Sequence, residues 1–224
     1  MTPARRARTP SGATSDPIPP RQDRSRETLE RVLAATEELL SEALFEDLAM
    51  ADIAARAGVA VGTIYTRFRT MDDLLPALFA RHDAAVAVRL GPFFERLAKK
   101  RSLRARIQGV VEFAVDYHLQ NRGLLRALTM YVRAHPDSVP ARTFRERAEQ
   151  YRAVARLVVG DGREIQHKNP LEATEFALGL VNSVCREQVL FEDVSPLAGQ
   201  RPSLAAFKRR LTETVHRDLA GRLG

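Results

Sequence analysis

Residues 61–68 of this 224-residue chain place Gly62, Thr63, Tyr65, Thr66 and Arg67 on one short segment. These side chains are small or can hydrogen-bond, and most are not needed for a core. Such a set can meet the polar edges of a nucleic acid, provided that something holds it outward. Two apolar-periodic segments, MADIAARA (50–57) and VGTIYTRF (61–68), flank the tripeptide Gly58-Val59-Ala60, which is too short for anything but a tight corner. Ile53, Ala54 and Ala57 supply one inward face, and Val59, Ile64 and Phe68 supply another. Gly58 stands where the first helix must end, because a residue without Cβ takes positive φ at little cost. The pattern predicts a helix-turn-helix whose second helix can lie in a DNA major groove.

The rest of the chain bounds this reading. With 45% hydrophobic residues and no apolar run near the roughly 20 residues that span a bilayer, the composition is that of a globular protein without a membrane partner. The N-terminus lacks a continuous apolar segment of the secretory kind, and a single cysteine, Cys185, excludes an intramolecular disulfide or a Cys-rich zinc site. A reducing, cytoplasmic setting is expected. The net charge of +7 is unevenly spread. Residues 1–24 hold five Arg against two Asp, whereas residues 25–82 hold six Arg against ten acids. The segment expected to touch DNA is therefore acidic overall, and net charge is weak support for DNA binding.

Residues 1–24 contain five prolines and little to bury, so they are expected to form a disordered basic tail, with Arg5, Arg6, Arg8, Arg21 and Arg24 available to a DNA backbone. From Ser25 the spacing of Leu29, Val32, Leu33, Thr36, Leu39 and Leu40 predicts an amphipathic helix. A helix-turn-helix domain is expected over 25–71 and a helical domain over 72–224. Thr70 is the expected cap of the helix that leads out of the small domain. Further helices are expected near 92–99, 103–120, 122–134, 139–160, 170–192 and 203–221, with breaks at Gly91-Pro92, His135-Pro136, Gly160-Asp161-Gly162, Asn169-Pro170 and Ser195-Pro196. No alternating strand pattern is present, so the fold class is all-α.

The sequence IAARAGVAVGTIYTRF (53–68), with Leu33, Ala34 and Ala35 before it and Leu74 after it, resembles the DNA-binding domain of the tetracycline-repressor (TetR) family of bacterial transcription regulators. The resemblance covers about residues 25–80. Three positions depart from the family pattern: Ala49 and Ala60 replace hydroxyl residues that cap the second and third helices, and Met71 replaces a frequent Lys. Asp47 is a possible substitute cap for the second helix. The resemblance implies that Gly62 and Thr63 meet DNA at the start of the recognition helix, and that Tyr65 reaches the sugar-phosphate backbone. It makes Val61, Thr66 and Arg67 the candidates for base contact, with Arg67 able to read guanine bidentately.

The resemblance also implies a C-terminal half that forms a homodimer and binds a small-molecule effector. Ala173, Ala177, Leu180, Val181 and Val184 form one stripe, and Leu204, Phe207, Leu211, Val215 and Leu219 form another. Either stripe can face its own core or a second subunit. Two-fold pairing would set two recognition helices one DNA turn apart. Aromatic residues on the middle helices, Phe93, Phe94, Phe113, Tyr117, Met130 with Tyr131, Phe144, Tyr151 and Phe176, are candidates for an effector pocket, with His118, Arg133, His135 and Asn182 as polar members. Arg133 could pair with an anionic ligand. No metal site, cofactor or catalytic constellation is expected: the five His are scattered, and there is no His-Glu-x-x-His, Gly-rich phosphate loop or serine elbow. The implied function is a ligand-released, dimeric regulator, most simply a repressor, on a double-stranded, pseudo-palindromic operator. A helical interaction module, or an activator with lost or altered operator binding, is the alternative.

Overall fold

A computed structural model describes residues 21–138, 141–194 and 202–221, and among them there are helices and no strand. The helices are α1 (Arg21–Glu42), α2 (Met50–Ala57), α3 (Val61–Tyr65), α4 (Leu75–Ala98), α5 (Leu103–Gln120), α6 (Arg122–Ala134), α7 (Ala141–Val159), α8 (Pro170–Cys185) and α9 (Leu204–Ala220). Side-chain oxygens of Ser102, Asn169 and Ser203 accept from backbone N–H groups and fix the starts of α5, α8 and α9. Most of the expected tail, residues 1–20, lies outside the described residues. Its last four residues do not belong to a tail, because α1 begins at Arg21.

Two cores divide the chain. The first gathers Val32, Leu33 and Leu40 of α1, Ile53 and Ala54 of α2, Ile64, Phe68, and Leu74 to Phe79 at the start of α4. The second is built from α4 beyond Phe93 and from α5, α7, α8 and α9. α4 spans both cores, so the boundary expected at residue 71 falls inside the first one. α6 also joins the first core through Leu124, Ala127 and Leu128. This seam is tight at Gly123, where an added Cβ would lie 2.0 Å from the Leu40 carbonyl oxygen.

Three local expectations are corrected. The break at Gly91-Pro92 does not occur, and α4 runs through it to Ala98. Proline removes the bond to the carbonyl four residues earlier. That carbonyl belongs to Val88, which is 77% exposed, so solvent can satisfy it. Thr70 does not cap the next helix. Instead the Asp73 carboxylate accepts from the backbone N–H groups of Arg69 and Thr70 at 2.8 and 3.0 Å, and these bonds hold its pKa below the usual carboxylate range. The start of α2 is secured by Asp52, not Asp47, its carboxylate accepting from Ala49 N–H at 2.9 Å.

Candidate nucleic-acid interface and interior cavity

The predicted corner is present. Gly58 adopts φ +64°, donating to Ala55, while Val59 donates back to Ala54, the paired pattern of a left-handed helix stop. It turns the chain into α3, which is anchored from beneath by Ile64, 2% exposed, and Phe68. The helical period then drives the neighbouring side chains outward. Val61 is 37% exposed and Tyr65 50% exposed, and Gly62, Thr63, Thr66 and Arg67 are exposed beside them. All six residues expected at DNA are thus exposed. Two have local partners: Thr66 Oγ1 donates to the Thr63 carbonyl at 2.7 Å, and Arg67 Nη2 donates to Ser25 Oγ at 2.7 Å. The second bond brings the first turns of α1, including Arg24 and Thr28, beside the end of α3 across a shallow cleft of about 250 Å³.

The acidity of this half lies elsewhere. Glu38 and Glu42 pair with Arg56 of α2, and Glu30 and Glu37 pair with Arg81 of α4. Residues 61–70 contain no acid at all. Four of the ten acids are thus held in ion pairs between helices, away from the exposed face of α3.

The second half holds a half-open cavity of about 150 Å³ between α4, α5, α7 and α8. Phe93, Phe113 and Tyr117 form a ladder along one wall, with ring centroids 4.1 and 6.0 Å apart. Tyr117, His118, Gln150, Tyr151 and Asn182 also line an adjoining cleft of about 350 Å³, which reaches Arg133, Arg147 and Arg186. His82 and Tyr117 are joined across α4 and α5, oxygen to Nε2, at 2.5 Å. Burial, with lesser repulsion from Arg147 and Arg89, pushes the His82 pKa down to about 4, and burial pushes the Tyr117 pKa up. Both groups are neutral at pH 7, so the hydroxyl donates to the bare ring nitrogen. His118 is also held neutral by burial, and its Nδ1 donates to the Ala114 carbonyl at 2.7 Å.

Of the expected pocket residues, Phe93, Phe113, Tyr117, His118, Tyr151 and Asn182 come together in the cavity, and Arg133 and Phe144 lie in the adjoining cleft. The others do not. Phe94 packs on the outer side of the second core, Tyr131 packs on the first core beside the His135 ring, and Met130 is exposed. Phe176 is 66% exposed on α8. The sequence reading missed Arg89, Gln150, Arg147 and Arg186. A signal existed for some of them: Val86, Arg89, Leu90 and Phe93, and Gln150, Tyr151 and Val154, repeat the i, i+3, i+4 spacing of the α5 wall.

The expected dimer stripes are also redistributed. Ala177, Val181 and Val215 are buried within the chain's own second core, and Ala173, Phe207 and Leu211 pack against it. These positions are satisfied internally because α8 and α9 each cover the α5 side of the bundle. Val184 is half-buried, and Leu180 and Leu204 are exposed. The open face of α8 carries Phe176, Gly179, Leu180 and Ser183 at helical spacing.

No helix among the described residues is long and apolar enough to cross a membrane. Comparison with known proteins gives a consistent result. Residues 32–78 match the family of bacterial regulatory proteins of the tetR type. A putative TetR-family transcriptional regulator from Mesorhizobium loti is 18% identical, with a TM-score of 0.58 over 89% of this chain and 97% of that one. A TetR-family regulator from Agrobacterium tumefaciens is 14% identical, with a TM-score of 0.58 over 87% and 98%. The fatty acid degradation regulator FadR from Bacillus halodurans is 15% identical, with a TM-score of 0.57 over 84% and 94%. No curated protein matches the chain. At these identities the solved structures establish the common fold. Residues 32–78 thus carry a likeness to the bacterial regulatory proteins of the tetR family, and α2–α3 within them form a helix-turn-helix.

Proposed function

We propose that the protein is a dimeric, ligand-responsive repressor that reads a pseudo-palindromic operator through α3 and releases it when a small molecule fills the interior cavity. The observation that carries the DNA part is the acid-free outer face of α3, anchored from beneath by the buried Ile64 and Phe68. Gly62 and Thr63 would face phosphate, Tyr65 the sugar-phosphate backbone, and Val61, Thr66 and Arg67 the base edges. Arg67 would exchange its Ser25 partner for DNA. Ligand response is supported by α4, whose far half walls the cavity while its first turns belong to the first core. A ligand that favours one placement of α4 would shift the recognition helices in a dimer away from operator spacing. The apolar outer face of α8 around Phe176 and Leu180 is the surface we assign to the second subunit, together with Leu204 of α9.

Selection against random duplex DNA tests this reading. Enrichment of a two-fold-symmetric site that is lost in Thr63→Ala and Tyr65→Ala supports it. Binding without sequence preference, unchanged by those substitutions, overturns it. Removing residues 1–20, which leaves α1 intact, should weaken binding and flatten its salt dependence if the basic segment tracks phosphates.

A further inference from the structure

We infer that the effector is a small organic anion, with an apolar body about the size of one aromatic ring in the Phe93–Phe113 chamber and its carboxylate toward Arg147 and Arg186. This rests on the reading of the cavity as an effector site. The chamber is walled by aromatic and aliphatic side chains and has a volume of about 150 Å³. An apolar cavity of about that size accommodates benzene. Through Tyr117, Gln150 and Asn182 it shares its wall with the cleft that holds Arg133, Arg147 and Arg186. Neither space is lined by an Asp or a Glu.

The charge balance there is uncompensated. Arg147 has one carboxylate partner, Asp83, at 2.9 Å. Arg133 and Arg186 have no carboxylate partner among the described residues. Both histidines of the walls are neutral, and the guanidiniums contribute to keeping them so. A cation entering this cleft would find no counter-charge, and a neutral ligand would leave the half-buried Arg186 unanswered. A carboxylate gains charge-assisted hydrogen bonds in a site partly screened from water. Arg186 also opens the π-helical turn Arg186–Leu190 that ends α8, and such turns concentrate at functional sites. Arg147 lies over the Phe79 ring at 4.6 Å as well as on Asp83, so a bound carboxylate would compete for the contact that ties α7 to α4.

The test is calorimetric titration of the full chain with phenylacetate, 3-phenylpropionate and hexanoate, each beside its primary amide, together with operator release in the same buffers. The acids should bind about tenfold more tightly than the amides, the effect of one charge-assisted hydrogen bond. Arg186→Gln should erase that ratio, and Arg186→Lys, which keeps the charge, should retain most of it. Because the measurement is a ratio, a variant that merely loses structure loses both ligands and is replaced by Arg147→Gln. Equal binding of acid and amide, a preference that survives in both Gln variants, or no binding of any acid at millimolar concentration overturns the inference. If the acids bind with the expected preference but leave operator affinity unchanged, the ligand class stands and the ligand-released repressor falls. If a neutral aromatic releases the operator as well as its acid does, the repressor stands and the anion inference falls.

Discussion

The outer face of α3 and the interior cavity are both candidate binding sites, yet they are made in opposite ways. The α3 face is written by one contiguous stretch, residues 61–67, and needs only a corner before it and two anchors beneath it. The cavity draws Phe93 from α4, Phe113 and Tyr117 from α5, Tyr151 from α7 and Asn182 from α8, spread over some ninety positions of chain. A site built locally can change its contacts without disturbing the fold. A site built from four helices is also part of a core, so its ligand preference and its stability are linked.

Substitutions can break or sharpen this contrast. The largest effect is expected beneath α3: Ile64→Ala should cost about 3 kcal/mol of stability, read from urea unfolding, and abolish operator binding with it. If Ile64→Ala left stability intact, α3 would not depend on its anchor. Next is the interior. The His82 pKa is depressed to about 4 in the folded chain, against an ordinary value near 6.5. The unfolded chain therefore binds more protons between those values. The stability contribution is complete above about pH 6.5 and is lost as pH falls toward 4, amounting to about 2 kcal/mol at pH 5. Unfolding midpoints at pH 8 and pH 5 should fall accordingly, and His82→Gln should reduce the difference. A His82→Gln chain with an unaltered pH slope would mean that this ring does not titrate as its burial demands.

Gly123→Ala tests the seam between the halves. Its Cβ would overlap the Leu40 carbonyl, so α1 and α6 must separate, at about 1–2 kcal/mol. The smallest effect on stability belongs to Tyr65→Ala, which should shift unfolding by less than about 0.5 kcal/mol while weakening operator binding about tenfold. A large loss of stability in Tyr65→Ala would remove the distinction between an exposed reading face and a core.

Much of the first half was legible because its information is local. The Gly58 stop, the inward Ile53, Ala54, Ile64 and Phe68, and the outward set on α3 all follow from spacing within a dozen residues. The limits of α5 and α6, expected at 103–120 and 122–134, were equally legible. Pro92 was misread because a helix can carry a proline where the carbonyl it orphans lies on an exposed face, and exposure at Val88 is a tertiary property. The faces of α8 were illegible for a different reason. Phe176, Ala177, Leu180 and Val181 make the helix apolar on more than one side, so periodicity cannot say which side turns inward.

Charge followed the same division. Counting residues gave an acidic N-terminal half, and only the pairing of Glu30, Glu37, Glu38 and Glu42 with Arg81 and Arg56 placed four of its ten acids between helices, away from α3. The sequence by itself determined the all-α class, the helix-turn-helix and the residues on its open face, since helix stops and 3.6-residue periodicity act over a few neighbours. Tertiary structure alone decided which aromatics meet in the cavity, that α4 belongs to both halves and α6 to the first core, and that Arg147 and Arg186 line one cleft without an acid in its wall. Those outcomes depend on how helices distant in sequence cross, and packing, not propensity, sets the crossing.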